Sequence, residues 1–364
     1  MIEKMTVFLR IFMHKKSMVR ISVITILFSF LYSCMPVCNC DELTENDQVF
    51  YKINSKVPYS GMCESKYDSI IKKMSFKNGK LHGKIEVFSA SGQKMAEMSY
   101  QDGKRDGNTI FFNESGDTST VMPYHLDQLD GIKVEKFENG NVKEKENYKQ
   151  GQLNGDALTF YPSGKKREKK FFKDGLAHGN WIVWFESGNK KAESGYDSGM
   201  PHGEWITWFE DGKKESEKGY ENGKPQGKWQ VWHENGNLQE EISYIRGEED
   251  GLWVIWHENG QKKKQGIIRN GQEQGLWVTW YPNGNKQSEE YYKDGLEDGI
   301  ARTWFSNGKQ ESLISYMSGK INGKVQKWSE AGNLILSANY INGNLASKPD
   351  IDSTSKTGQP EPVF

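Results

Sequence analysis

The sequence predicts an all-β protein: an extended, twisted, single-layer antiparallel β-meander built from about eleven hairpin repeats of 24 residues. Three observations carry this expectation. Glycines recur on a strict metre, short aromatic and β-branched segments alternate with polar ones between them, and Asn-Gly or Asp-Gly pairs separate the segments. No stretch of the array holds a helical 3.6-residue apolar period of useful length, and the glycines would break one.

The metre is set by Gly83, Gly107, Gly131, Gly155, Gly179, Gly203, Gly227, Gly251, Gly275, Gly299 and Gly323, eleven anchors with no insertion or deletion between them. A second glycine follows each anchor by nine residues, and a third precedes it by four except at Asp127. Seventeen residues after each anchor stands an aromatic, from Tyr100 to Tyr340, with Ile268 the exception. All twelve tryptophans lie two or five residues after an anchor.

Each unit reads as two strands. The first, such as "EWITWF" (204–209), leads into Asn-Gly, Asp-Gly or Ser-Gly, where a two-residue type I′ turn is expected. The second, such as "NLQEEISY" (237–244), is polar and ends on the periodic tyrosine, and a longer turn of the form "NGKPQG" (222–227) leads to the next anchor. With that geometry, facing offsets sum to 17. Gly203 then opposes Tyr220, whose ring covers the bare glycine, and Trp208 opposes Glu215. Alternation puts the tryptophan at offset two on the tyrosine's face and the one at offset five on the other. One repeat is too small to fold alone; stacked repeats share their surfaces with two neighbours.

The ends differ from the array. A basic stretch "HKKSMVR" (14–20) precedes a twelve-residue, largely apolar run "ISVITILFSFLY" (21–32), the layout of a secretory signal. It closes on Leu31-Tyr32-Ser33-Cys34, which resembles the lipobox of bacterial lipoproteins and implies lipidation of Cys34. Met1, Met13 or Met18 can each open such a leader. The expected organisation is a signal over 1–34, a tether and incomplete repeat over 35–75, the array over 76–345 and a disordered, proline-bearing tail over 346–364. With Cys34 lipidated, Cys38, Cys40 and Cys63 remain, an odd number that leaves at least one thiol outside an internal disulfide. The expected location is the cell envelope, lipid-anchored to a membrane at the outer membrane or periplasmic face.

Composition excludes some classes. The formal charge is −1, and removing residues 1–34 takes away five basic residues and one acidic, leaving the chain near −5. Lysines and acids interleave along the same strands, which disfavours nucleic acid. Catalytic sites bring unlike residues to one place, whereas this sequence offers columns of like residues. His82, His178 and His202 each precede an anchor, where other repeats carry Asp, Asn or Gln; a polar turn position accounts for them, and for metal the neighbouring columns stand too far apart. No catalytic, metal-ligating or cofactor-binding residue is expected. The candidate binding surface is the offset-five column of Trp184, Trp208, Trp232, Trp256 and Trp280, which suits either packing between hairpins or reception of a sugar or apolar peptide.

The phrase G-x-W-x-x-W-x-x-N-G-x-x-x-x-E-x-x-Y-x-x-G-x-x-x-G, carried by about three-quarters of the chain, resembles the MORN repeat and more closely its bacterial variant. Lys133 and Lys136 make the repeat at Gly131 the poorest match. The resemblance implies a twisted hairpin array used for protein or membrane contacts, without catalytic residues. The expected function is a non-catalytic, lipid-anchored envelope scaffold that binds a protein or a surface glycan. Alternatives are an antitoxin-like binder of a toxin–antitoxin pair and an unrecognised envelope enzyme.

Overall fold

The computed structural model describes residues 37–347 and 350–351; the leader, Cys34 and most of the tail expected beyond residue 345 lie outside the described residues. The chain divides into two compact units, with the boundary in the sequence between Gly131 and Ile132. Both are antiparallel meanders in which consecutive strands pair, and the one short helical element among the described residues is a 3-10 turn at Cys40–Glu42.

The first unit opens with an end structure. Strand Cys38–Asn39 pairs in parallel with Gly61–Tyr67, placing Cys38 opposite Cys63, and Leu43–Asn46 forms a separate hairpin with Val49–Lys52. Cys40 and Cys63 form a disulfide, and Cys38 remains a buried thiol that donates to the Tyr59 hydroxyl at 3.1 Å. These groups and Phe76 form a small core, with Leu43 and Phe50 packed against it. The segment expected as a tether is thus built into the unit from residue 37 onward, and it closes one end of the hairpin array. Strands Ile70–Lys77, Lys80–Ser89, Lys94–Gln101, Lys104–Phe112 and Thr118–His125 follow in order.

The second unit repeats one hairpin. In the copy at Gly203, strand Met200–Trp208 pairs with Lys214–Glu221 through Gly203↔Tyr220, Trp205↔Lys218 and Thr207↔Ser216. The expected register holds this far. It then slips by one, so that Trp208 faces Lys214 and not Glu215. The turn is the cause. The Phe209 amide donates to the Lys213 carbonyl and the Gly212 amide to the Phe209 carbonyl, both at 2.9 Å, and Gly212 alone has positive φ (+89°). This is a three-residue loop, a type I turn closed by a left-handed glycine, and it leaves one extra residue on the returning strand.

The two-residue type I′ turn lies at the other connection. Asn222 (φ +50°) and Gly223 (φ +79°) both take the left-handed conformation, with Glu221↔Lys224 closing the pair. The same pairing of a left-handed residue with a left-handed glycine recurs every 24 residues, at Asp174, Ser198, Arg246, Asn270, Asp294 and Ser318 among others. Where the glycine is missing, Asp127 itself holds φ +69°, and its carboxylate accepts the Arg105 amide at 2.8 Å. Each turn is also tied to the one before: the Gly223 amide donates to Pro201 O at 2.8 Å and Gly247 to Pro225 O at 2.9 Å.

Gly203 opposes Tyr220 but does not carry its ring, since no atom lies within 4 Å of where a Cβ would sit; the anchor glycine has another role. Ser194↔Trp205 and Tyr196↔Pro201 are paired, so the single residue Gly195 faces three residues centred on Gly203. All eleven anchors have positive φ, from +65° at Gly179 to +130° at Gly251 and Gly299. An L-residue there pays a conformational penalty whatever space surrounds it.

Deleting residues 204–227 removes one copy of each turn and each bulge and rejoins strands of the same type. The shortened protein is expected to fold and melt cooperatively, because each repeat contacts only its neighbours. Deleting half that length joins a first strand to a first strand and turns buried side chains outward, so its melt should be broad and low. Indistinguishable melts for the two deletions, read by circular dichroism, would contradict the repeat-by-repeat architecture.

Candidate binding surface

Two aromatic columns run along the second unit on opposite faces. The first is continuous: ring centroids step from Phe172 to Trp181 (5.2 Å), Tyr196 (4.4 Å), Trp205 (5.2 Å), Tyr220 (4.9 Å), Trp229 (5.2 Å) and Tyr244 (4.4 Å). Tilted rings at these spacings attract beyond the area they bury. The indole N–H groups of Trp181, Trp205 and Trp229 donate to Phe171 O, Gly195 O and Gly219 O, each at 3.0 Å. This column is the packing that ties one hairpin to the next.

The column changes where Ile268 replaces the tyrosine. Trp277 turns over Gly266, where a Cβ would lie 2.0 Å from the indole, and becomes the most buried tryptophan at 2% exposure. It meets Trp253 edge-on at 5.5 Å, and the Lys264 ammonium stands over both rings at 5.0 and 4.5 Å. The Trp277 indole N–H has no hydrogen-bond partner.

The second column holds Trp184, Trp208, Trp232, Trp256 and Trp280, all half-buried. Lysines alternate with them: Lys190 pairs with Trp184 and stands 5.7 Å over Trp208, and Lys214 pairs with Trp208 and stands 5.8 Å over Trp232. Glu193 and Glu217 hold these ammonium groups at 2.7 and 2.6 Å. The expected Trp208–Glu215 pairing is therefore replaced by a lysine contact. Glu215, the extra residue of the bulge, points to solvent and lines an open groove of about 870 Å³ with Phe209, Trp232, His233, Gln239 and Glu258.

The histidines belong to turn ladders. His233 and His257 place Nε2 at 3.3 and 2.9 Å from Trp256 O and Trp280 O, which can only accept, and Tyr281 donates to Trp304 O at 2.9 Å from the same offset. His178 pairs with Asp197 at 3.2 Å. Asparagines extend the ladders: Asn235 and Asn237 donate to Glu258 O at 2.7 and 2.8 Å, and Asn283 and Asn285 to Ser306 O at 2.9 and 2.8 Å. Their recurrence at offsets eight and ten is the sequence signal for these ladders.

In the repeat at Gly131, charge fills the place of the aromatic column. Lys133, at the offset-two position, reaches Glu146 at 2.7 Å, and Tyr148 donates to the same carboxylate at 3.0 Å. Burial and a hydrogen bond shared with Glu146 push Glu144 up to about 7. For Glu146 burial acts upward, but hydrogen bonds from Glu144 and Lys133 outweigh it and hold the carboxyl below its ordinary value.

The variant MORN repeat model matches six segments, residues 129–150, 153–174, 201–222, 225–246, 249–270 and 273–294. The chain is a MORN-repeat protein. The match includes the repeat at Gly131, expected as the poorest, because its glycines and tyrosine keep the metre despite Lys133 and Lys136. No curated protein matches the chain. The solved TcdB2–TccC3 structure is similar at 12% identity with a TM-score of 0.17, covering 76% of this chain and 18% of that one.

Protonation of Glu144 gives a testable pH dependence. An acid whose folded pKa is raised binds more protons folded than unfolded between its ordinary value and about 7. Stability from this group should therefore fall as pH rises through that window and level off above it. Denaturant midpoints for Glu144→Gln should lose this slope; an unchanged slope would place the titration elsewhere.

Proposed function

We propose that this MORN-repeat protein is a non-catalytic scaffold of a bacterial cell envelope, held to a membrane by lipid on Cys34, whose offset-five tryptophan face binds a partner protein or a surface glycan. The supporting observation is the groove at Trp232. An indole is bordered there by the carboxylates of Asp211, Glu215, Glu234 and Glu258 and by the side-chain amides of Asn235 and Gln239. Aromatic faces stack on the C–H faces of sugars or on aliphatic side chains, and the surrounding carboxylates and amides satisfy hydroxyl or amide groups. The other column spends its rings and N–H groups on holding the hairpins together.

Alanine at Trp208, Trp232 and Trp256 together should reduce capture of envelope partners or glycans with a small drop in melting temperature. Trp205→Ala should keep capture below its melting point but lose about 3 kcal/mol of stability, the bottom of the range for a large aromatic, since the ring is half-buried. If the triple variant unfolds as readily as Trp205→Ala and captures as much as the wild type, both columns are packing. Metabolic labelling with a fatty-acid analogue should mark the wild type and not Cys34→Ala; equal labelling would remove the lipid from the account.

A further inference from the structure

Repeats that break their own pattern are where an array can be specific. At offsets one and sixteen most copies are polar or bare: Asn180 and Gly195, Glu204 and Gly219, Lys228 and Ser243, Lys324 and Asn339. The copies from Gly251 to Gly299 instead carry Leu252, Ile267, Leu276, Tyr291 and Ile300, each 38–43% exposed. Leu252 faces Ile267 and Leu276 faces Tyr291 across their hairpins. Gln265↔Val278 and Glu289↔Arg302 put the intervening strands on the same face. The five side chains form one row over five neighbouring strands, about 19 Å long at the usual strand spacing.

Charge on this face changes over the same span. Lys262, Arg269, Lys286, Lys293, Arg302 and Lys320 share it with the acids Glu248, Asp250, Glu289 and Asp298, so that cations predominate. An exposed apolar row with a cationic border, on a chain of mean hydropathy −0.79, needs a partner. We propose that this row docks an acidic, amphipathic helix of another protein, with apolar side chains on the row and carboxylates on the lysines and arginines. A row of this length matches about 13 residues of helix, and a helix laid on a sheet is the ordinary way to cover such a face. The proposal rests on the scaffold reading and names the partner's chemistry. A second copy would set cations against cations if the rows met. A lipid surface suits side chains that project from loops, whereas these lie in mid-strand and are more than half covered.

The test uses the full chain and two synthetic peptides of about 18 residues that share one leucine stripe, flanked by glutamates in one and by lysines in the other. By fluorescence anisotropy the glutamate peptide should bind at least about tenfold tighter than the lysine peptide, and binding should weaken with salt. Leu252→Lys with Leu276→Lys should lower its affinity by about tenfold or more. So should Lys293→Glu with Arg302→Gln. Each replacement copies a residue the chain already carries at the equivalent offset (Lys228, Glu221, Gln230), so the variants should melt as the wild type does. The inference is overturned by equal binding of the two peptides, by no binding of either, or by variants that bind unchanged. Self-association lost in the leucine variants would also overturn it. So would sedimentation of the wild type alone with phosphatidylserine-containing vesicles, which would make the row a lipid contact. The Cys34 label and the Trp208 and Trp232 variants report on the scaffold reading independently of this row, whereas Trp256 shares a strand and face with Leu252.

Discussion

The structure depends on a backbone constraint more than on any contact: besides the loop-closing glycine such as Gly212, two places in every repeat must adopt a left-handed conformation. One is the tight turn between repeats, where a residue such as Asn222 and the glycine after it both have positive φ. The other is the anchor bulge, where one glycine lets three residues face one. Neither can be met by an ordinary L-residue without cost. The bulge sets where offsets two and five fall against the neighbouring hairpin, and from that placement come the stacked rings on one face and the alternating tryptophans and lysines on the other. The 24-residue metre is the spacing of these positions along the chain.

Much of this was legible in the sequence because it is periodic. The hairpins, the pairing of Gly203 with Tyr220 and the separation of the two tryptophan offsets all follow from the spacing and from strand alternation. The type of turn did not follow. Both connections carry Asn-Gly pairs, as in Asn222-Gly223 and Asn235-Gly236, and the dipeptide alone favours a two-residue turn at each. The difference lies between repeats: at Asn235 the side chain is drawn to Glu258 O, while at Gly223 the amide is drawn to Pro201 O. Such contacts, 22 or 23 residues away, are invisible to local pattern reading. The same blindness misassigned the partner of Trp208. The Cys40–Cys63 bond was also illegible, since three nearby cysteines leave the choice to the parallel strand that brings Cys38 and Cys63 side by side.

Repeats differ from one another where they depart from the metre. Many regular positions are committed: indoles donate to carbonyls, asparagines join turns, and histidines extend the same ladders. Three departures stand out in the second unit. Charge replaces the aromatic pair around Lys133, Ile268 and Gly266 reorganise Trp277, and an apolar row appears from Leu252 to Ile300. An array whose stability is spread over many similar neighbours can tolerate such local changes. That tolerance is what allows one architecture to carry a surface unlike its other repeats.

The most direct measurement of the central constraint is the stability of Gly227 variants. At this anchor φ is +75° and no atom lies within 4 Å of where a Cβ would sit, so crowding is removed from the comparison. Gly227→Ala should lower the denaturant-derived stability by about 1–2 kcal/mol, and Gly227→Asn by less, since asparagine tolerates the left-handed region. An alanine variant as stable as the wild type would show that the anchor does not require a left-handed backbone, and the account of the repeat would fail with it.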